Sequence, residues 1–228
     1  MRYFPPIIIF LVFLVAVGTY LAFFVAPPDA LQSDAQRIMY IHVPSAWVGL
    51  SFIIISALFS LVYIFKSRGW ADSFAWSFAK VGAVFTLLAL ATGSIWAKPI
   101  WGVWWVWEAR LTTTLILFMI YVAYIIPGID EKSRQNTKKL RAIISIIGAL
   151  NVPIVWFAVK IWRTLHQEYS IIRTDGPSIH PDMLKILLYN IFSVFISAIV
   201  IAIYDAVKNY SKILSKVPQQ EKLALKES

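Results

Sequence analysis

The sequence predicts an all-α, polytopic integral membrane protein. Hydrophobic residues make up 59% of the 228 residues, charged residues only 14%, and the mean hydropathy is +0.71. A soluble domain of ordinary composition is about 45–50% apolar and about 25% charged. The apolar residues lie in long uncharged runs of roughly 20 residues, the length that a helix needs to cross the hydrocarbon core. We therefore expect about six transmembrane helices in a single membrane domain over residues 1–228.

Six apolar segments are the predicted spans. The first follows a basic start and is long for a signal peptide, so we expect it to be retained as a helix. The second follows Pro44, and proline suits the first turn of a helix. Glycines in the second, third and fifth segments favour close helix contacts in lipid. The predicted spans are 6–26, 45–65, 76–95, 111–127, 142–160 and 184–204.

The distribution of lysine and arginine predicts the orientation of these spans. With six spans, the termini share one side of the membrane with the second and fourth connecting loops. Those regions hold about 13 basic residues, and the opposite loops hold about 5. Because positive charge concentrates on the cytoplasmic side, both termini are predicted to be cytoplasmic, with a basic tail at 205–228. The external loops are then 27–44, 96–110 and 161–183, and the net charge of +9 requires no nucleic-acid partner.

The external segment 96–110, between spans three and four, contains half of the chain's 10 tryptophans. Indole rings form an apolar, π-rich surface that suits a large, planar, hydrophobic ligand. Tryptophans also form belts at membrane interfaces, which accounts for Trp47, Trp76, Trp156 and Trp162 but not for five in one short loop. We call these five the tryptophan cluster: Trp96, Trp101, Trp104, Trp105 and Trp107.

Helical spacing relates several members of the tryptophan cluster. If the segment is helical, Trp101, Trp104, Trp105 and Glu108 fall at i, i+3, i+4 and i+7, which is one face. A short amphipathic helix of this kind would lie along the membrane surface. The sequence thus predicts a surface helix that presents a flat aromatic face.

All three histidines fall in predicted external loops, on the same side as the tryptophan cluster. Imidazole is a common axial ligand of haem iron, and two imidazoles on opposite faces of a macrocycle stacked on indoles would form a coherent site. An interfacial hydrogen-bonding role is the alternative for each histidine. Spacing alone does not choose two ligands among His42, His166 and His180.

The residues around the tryptophan cluster resemble a known family. The run from Thr92 to Thr112 resembles the tryptophan-rich "WWD" signature of membrane haem-handling proteins. The chain length, the six spans, Tyr40-Ile-His42-Val-Pro44 and Thr164-Leu-His166-Gln resemble the CcmC family, the haem exporter C proteins of bacterial and organellar cytochrome c maturation. The resemblance covers nearly all of the chain except the termini. One departure is Glu108, where the motif usually has Asp.

This resemblance implies a function and a set of partners. The family binds haem at the outer face of the membrane and passes it to a membrane-anchored haem chaperone, CcmE. It works beside the ABC-transporter-like subunits CcmA and CcmB and the small subunit CcmD. The resemblance implies a multi-pass protein of the bacterial inner membrane with periplasmic functional loops, in contact with lipid. It also implies b-type, non-covalent haem whose iron is ligated by His42 and His166.

Other residues of the external loops are expected to complete the haem site. Trp96 and the other members of the tryptophan cluster would stack on the porphyrin or wall it. Arg37, Lys98 and Arg110 are the cations that could pair with the propionates, since arginine binds carboxylates in a bidentate manner. Glu108 would orient Arg110 or a tryptophan N–H group.

Two alternatives from other classes stay open at this point. A b-type membrane cytochrome carries haem between spans, with histidines inside apolar helices, whereas these histidines fall at predicted span ends. A cofactor-free transporter with an external aromatic gate would have ionisable or broken-helix features near the midplane, and the span centres are almost free of charge. The chain has no nucleotide-binding glycine-rich loop and no hydrolytic motif. The sequence leaves open whether the chain itself forms the covalent haem–chaperone bond.

Overall fold

The computed structural model describes residues 4–162, 164–166, 170–171, 174 and 176–215, and over these residues it is a helical bundle without β-strands. Seven α-helices follow one another, with a π-helical turn at Leu21–Val25 and 3-10 turns at Asp34–Ile38 and Ile126–Gly128. The helices are α1 (Phe4–Tyr20), α2 (Met39–Lys66), α3 (Gly69–Trp101), α4 (Ala109–Ile125), α5 (Glu131–Asn136), α6 (Lys138–Ile161) and α7 (Pro181–Ser215).

Six helical segments are long and apolar enough to cross a membrane, and α5 is a short link between the fourth and the fifth of them. This confirms the predicted all-α fold with six spans. The α4 helix starts at a carboxylate cap, because Glu108 Oε1 accepts the Leu111 N–H at 2.7 Å. Such caps satisfy a backbone donor that has no partner within the helix. The α7 helix begins at Pro181, a residue that suits the first helical position.

Several helices extend beyond their predicted spans. The α2 helix begins at Met39, so Pro44 lies inside it. The sequence had instead predicted Pro44 in the first turn of this helix. Residues 205–215 of the predicted tail continue α7, where Asp205 pairs with Lys80 of α3 at 2.7 Å. The apolar run marks the part of a helix that lies in lipid, whereas the helix itself continues wherever its polar residues find partners.

Four helices enclose the interior of the bundle. The α2 helix packs against α3 and α6, and α4 packs against α3 and α6 on the other side. Tyr121 of α4 reaches across this interior, and its hydroxyl donates to the Gly49 carbonyl oxygen of α2 at 2.7 Å. Gly82 of α3 gives it room, because a Cβ there would collide with the Tyr121 hydroxyl. Tyr121 crosses the interior one helical turn after Leu117 of α4, which is fully buried.

A buried polar cluster lies on the far side of that crossing. Arg141 of α6 is fully buried, and its Nη2 lies 2.7 Å from Asp72 Oδ1 of α3. Its guanidinium group also lies 4.9 Å from the centre of the Trp76 ring and 3.3 Å from the Tyr124 hydroxyl. Trp76 is therefore a buried packing residue, and its prediction as part of an interfacial belt is wrong. The cluster joins α3, α4 and α6 at the end where α3 begins.

Candidate functional site

A pocket opens at the end of the bundle where α2 begins and α3 ends. Its walls come from all three segments predicted to be external loops, together with the adjoining turns of α2, α3, α4 and α6. Apolar side chains form most of its surface. The polar and aromatic residues that line it include His42, Trp47, Trp96, Trp101, Trp105, Arg110, Trp156 and His166.

His42 lies in the first turn of α2 and not in a loop, which corrects the predicted placement. Its Nδ1 is 3.0 Å from the Ala89 carbonyl oxygen of α3 and 3.2 Å from Thr92 Oγ1. The ring approaches α3 this closely because Gly93 has no side chain; a Cβ there would lie 3.0 Å from His42 Cε1. The backbone of α3 therefore fixes the orientation of the His42 ring within the pocket.

His166 follows α6 and brings a second imidazole to the same pocket. The centroids of the His42 and His166 rings are 6.5 Å apart, and their planes are tilted by 36°. On the side of α4, Nη1 of Arg110 lies 3.4 Å from His166 Nδ1. Three helices, α2, α3 and α4, and the loop after α6 thus converge at this pair of histidines.

The separation of these two rings fits a single metal ion between them. Imidazole nitrogens bind metal ions at about 2.0–2.1 Å, and the nitrogen lies roughly 1.2 Å from the ring centre. Two imidazoles on opposite sides of one ion therefore have centroids about 6–7 Å apart, by the same bond lengths. The observed 6.5 Å lies in this range, so the spacing of the two rings is compatible with one iron between them.

His180 is placed away from this pair. It immediately precedes α7 and is exposed, and its Nδ1 accepts the Asp182 N–H at 3.3 Å. Its carbonyl oxygen accepts the Leu184 N–H at 2.9 Å. The structure therefore gives His180 a role at the start of a helix and does not include it in the pocket lining.

Within the tryptophan cluster, the structure separates pocket residues from surface residues. Trp96, Trp101 and Trp105 line the pocket, whereas Trp104 and Trp107 are 57% and 75% exposed. The Trp96 ring meets the His42 ring edge-on at 5.7 Å. The Trp105 indole N–H is buried and has no hydrogen-bond partner among the described residues. A ligand oxygen could therefore accept it.

The prediction of a surface helix over residues 96–110 is wrong. The α3 helix continues through Pro99 to Trp101 and stops at Gly102, whose φ of +76° is the left-handed conformation that favours glycine. Residues 102–107 then form a loop before the Glu108 cap of α4. Because helical spacing does not apply across a helix end, the four residues predicted to share one face do not do so.

Some residues that line the pocket were missed or interpreted differently. Trp47 and Trp156 were expected to be interfacial belt residues, but both lie in the pocket wall. Gln32 was not considered, although its Oε1 accepts the Trp96 indole N–H at 2.9 Å. No local signal marks these residues, since they reach the pocket from separate elements. The small residues Thr92 and Gly93 could have indicated that another helix packs closely against α3 at this point, because such residues allow close helix contacts.

Arg37 lies away from the pocket lining and holds the end of the first span. Its Nη1 donates to the carbonyl oxygens of Ala22 and Ala26, at 3.0 and 2.8 Å, and its Nε lies 2.8 Å from Asp34 Oδ1. These carbonyls belong to the π-helical turn that ends α1 and to the residue after it. The geometry therefore supports an anchoring role for Arg37.

Lys98 and Glu108 act at the ends of helices. Lys98 is exposed; its Nζ donates to the Gly102 carbonyl oxygen at 2.9 Å and lies 6.0 Å from the Trp104 ring centre. Glu108 is buried, and its Oε1 caps α4 by accepting the Leu111 N–H. Of the three cations expected to pair with a carboxylate ligand, only Arg110 is part of the pocket lining.

Comparison with known proteins places the chain in a family. The model of the family described as heme exporter protein C, CcmC, matches residues 1–222. A ccmC-like mitochondrial protein of cytochrome c biosynthesis from Marchantia polymorpha is 41% identical over 194 residues, which is 85% of this chain and 82% of that protein.

Bacterial relatives have similar coverage. The heme exporter protein C of Bradyrhizobium diazoefficiens is 40% identical over 78% of this chain and 67% of its own length. That of Escherichia coli K12 is 38% identical over 82% of this chain and 76% of its own length. The chain belongs to the heme exporter protein C family, and its role is haem handling in cytochrome c biogenesis.

Proposed function

We propose that this member of the heme exporter protein C family binds haem between His42 and His166 and passes it to the membrane-anchored chaperone CcmE. The observation that carries the proposal is the 6.5 Å separation of the two imidazole rings inside a tryptophan-lined pocket. Imidazole is a common axial ligand of haem iron. The chain has no cysteine and so cannot attach haem through a Cys-x-x-Cys-His motif, which supports non-covalent, b-type binding.

The pocket walls suit the two chemically different parts of haem. Trp96, Trp101 and Trp105 provide flat apolar surface for the macrocycle. Arg110 and the buried indole N–H of Trp105 are donors for the propionates. Trp104 and Trp107, which are exposed, would close over the bound macrocycle. The proposed haem therefore has its iron between the histidines and its carboxylates near α4.

The pocket is proposed to face the periplasm from the inner membrane, in a complex with CcmA, CcmB and CcmD. The excess of positive charge on the loops at the other end of the bundle supports this orientation. A reporter fused after Arg134 should then be cytoplasmic, and one fused after Gly176 should be external. A cytoplasmic reporter after Gly176 would contradict the orientation.

Delivery to the chaperone is tested by co-expressing the chain with CcmE and measuring covalently bound haem on CcmE. His42→Ala and His166→Ala should be present in the membrane at near-normal abundance and should abolish loaded CcmE. His180→Ala is the matched control and should leave loading unchanged, because His180 is outside the pocket lining. Full loading by a His42→Ala variant would overturn the proposal.

A b-type membrane cytochrome is the second candidate function. It is favoured by one observation, namely that His42 lies within α2. A cytochrome would retain its haem and exchange electrons, whereas a haem carrier loses its haem to the chaperone. Haem that stays with the purified chain after incubation with excess apo-CcmE would favour the cytochrome.

A further inference from the structure

The pocket continues below the two histidines, between the helices of the bundle, and we call this lower part the floor. In α4, Leu117 of the floor comes seven residues after Arg110, so the floor lies about 10 Å deeper along the helix axis than that arginine. One helical turn further along α4, the fully buried Tyr121 crosses to Gly49, so protein fills the interior beneath the floor. The residues of the floor come from α2, α3, α4 and α6, and they are Ala46, Leu50, Thr86, Thr114, Leu117 and Val155.

The floor has no hydroxyl proton to give to a ligand. Thr86 Oγ1 donates to the Gly82 carbonyl oxygen at 2.8 Å, so its hydroxyl bonds to its own helix. Thr114 Oγ1 does the same in α4, where it donates to the Arg110 carbonyl oxygen at 2.7 Å. The other side chains of the floor are those of alanine, leucine and valine. A buried water needs about two to four polar partners, so hydrocarbon fits this floor better than water does.

The floor lies at the depth of the lipid chains. Each of its residues falls within one of the predicted spans. Ile116, the neighbour of Leu117 in α4, is 46% exposed on the outer face of the bundle, whereas Leu117 is fully buried. An empty apolar cavity leaves the atoms of its lining without dispersion contacts on one side. Lipid chains surround these helices in the membrane, so a hydrocarbon chain is the molecule at hand to fill the floor.

Above the floor, the rim of the pocket carries donors for an anionic group. Arg110 lines the pocket, and its guanidinium has a fork of N–H donors, so it can bind a carboxylate while it stays in contact with His166. The Trp105 indole N–H is buried and has no hydrogen-bond partner among the described residues. The pocket is therefore apolar at its floor and has donors at its rim, which matches the two ends of an amphiphilic molecule.

We propose that the haem-free pocket binds an anionic amphiphile, with one hydrocarbon chain in the floor and the anionic head group at Arg110 and Trp105. A free fatty acid and an anionic phospholipid share this chemistry. The length of the hydrocarbon chain is limited, because the floor ends at Leu117, about 10 Å along the helix below Arg110. Haem also joins carboxylates to an apolar body, so haem has to displace the amphiphile. This displacement, unlike the binding of the amphiphile, rests on the proposed function of the pocket.

Photolabelling in a bilayer tests the amphiphile site directly. The protein is reconstituted in phosphatidylcholine nanodiscs, since detergent would itself fill the pocket, and the probe is laurate with a diazirine on its terminal carbon. Peptide mass spectrometry should locate the label on Leu117 and other floor residues. Phosphatidylglycerol with the same labelled chain distinguishes a phospholipid source, and neutral phosphatidylcholine with that chain should label only outward residues such as Ile116.

Two results of this labelling would contradict the proposal. If both anionic probes label only outward residues, the floor does not hold a hydrocarbon chain. If the neutral probe labels the floor as strongly as laurate does, the anionic head group has no role.

Substitutions that fill the floor should remove the label. Ala46→Phe and Thr114→Phe each place a ring in the floor and should abolish labelling of Leu117. Ile116→Phe adds the same ring on the outer face of α4 and should keep that labelling. Arg110→Leu should lower labelling by laurate about tenfold, because a charge-assisted hydrogen bond to the head group is lost. Labelling of Leu117 that persists in a floor-filling variant of normal membrane abundance would overturn the site.

Chain length gives a comparison that needs no variant. Stearate with a diazirine on its terminal carbon should label Leu117 less than laurate does, because the floor is too short for the longer chain. Equal labelling of Leu117 by the two acids would contradict a floor that ends at this residue.

Ferric haem, added before irradiation, tests the displacement and separates it from the proposed function. In the unaltered protein, labelling of Leu117 should fall as the histidine-dependent haem absorption rises, and in His42→Ala haem should displace much less of the probe. Full labelling beside a histidine-dependent haem spectrum would overturn the displacement, while haem binding would stand. Floor labelling without any histidine-dependent haem spectrum would overturn the proposed function, while the amphiphile site would stand.

Discussion

The two ends of the bundle use an arginine and a tryptophan in contrasting ways. At the end where α3 begins, which we call the closed end, Arg141 is fully buried, 2.7 Å from the Asp72 carboxylate and 4.9 Å from the Trp76 ring centre. At the pocket end, Arg110 is half-buried and lies 3.4 Å from the His166 imidazole. An arginine that has a carboxylate within the protein forms a fixed structural link. An arginine that lines an open pocket is placed where it can contact the carboxylate of a ligand.

Distance along α3 keeps these two environments apart. Trp76 and Trp96 are both in α3, and 20 residues of helix span about 30 Å. The crossing of Tyr121 to Gly49 lies between them. Substitutions at the closed end should therefore change stability, and substitutions at the pocket end should change haem binding.

The largest expected effect is on stability at the closed end. Arg141→Leu leaves the Asp72 carboxylate buried without its partner, which costs about 3–5 kcal/mol. The thermal unfolding temperature in detergent and the abundance in the membrane should both fall. Arg110→Leu is the matched control and should unfold near the temperature of the unaltered protein. A second substitution, Asp72→Leu in the Arg141→Leu chain, should recover much of the loss, because it removes the unpaired charge.

A glycine at the pocket end should affect haem binding and not folding. Gly93→Ala places a Cβ 3.0 Å from His42 Cε1, which displaces the ring from the Ala89 carbonyl oxygen. The lost hydrogen bond and the misaligned ring should weaken haem affinity by roughly fivefold to tenfold, since one such bond contributes about 1 kcal/mol. Haem titration of purified protein measures this change. Gly69→Ala, also in α3, meets its nearest atom at 3.7 Å and should bind haem normally.

The tryptophan cluster allows a smaller and graded comparison. Trp101 lines the pocket and Trp104 is 57% exposed. Loss of aromatic stacking costs about 0.5–1.5 kcal/mol, so Trp101→Ala should lower haem-loaded chaperone several-fold and Trp104→Ala should lower it less. Both variants should reach the membrane in normal amounts. If both disappear in proportion to their lost delivery, the cluster is a structural belt.

The smallest effect is expected at Glu108. Glu108→Asp should leave the unfolding temperature and haem delivery nearly unchanged, because Asp is among the preferred N-cap residues. Glu108→Ala removes the acceptor of the Leu111 N–H and should cost about 0.5–2 kcal/mol. Equal stability of Glu108→Ala and the unaltered protein would contradict the capping role.

The sequence was sufficient to predict the six spans and the family, but it did not predict where the helices begin and end. Uncharged apolar runs located six crossings, because lipid excludes charge over a fixed thickness. They did not locate Met39 as the start of α2, nor the continuation of α7 beyond residue 204 as far as Ser215, the last described residue. The continued part of α7 has a partner distant in the chain, because Asp205 pairs with Lys80 of α3.

The pocket was predictable only in part for a related reason. The tryptophan cluster was visible as composition, but the turn at Gly102 decides which of its members face inward. Trp47 and Trp156 reach the pocket from α2 and α6, and no local pattern connects them with His42.

The central claim is that one iron binds between His42 and His166, and the electron paramagnetic resonance spectrum of the purified protein with ferric haem tests it most directly. The account predicts a low-spin, bis-histidine signal for the unaltered protein and for His180→Ala. It predicts that this signal is lost in both His42→Ala and His166→Ala. A signal that persists in either of these two variants, or that disappears only in His180→Ala, would contradict the account.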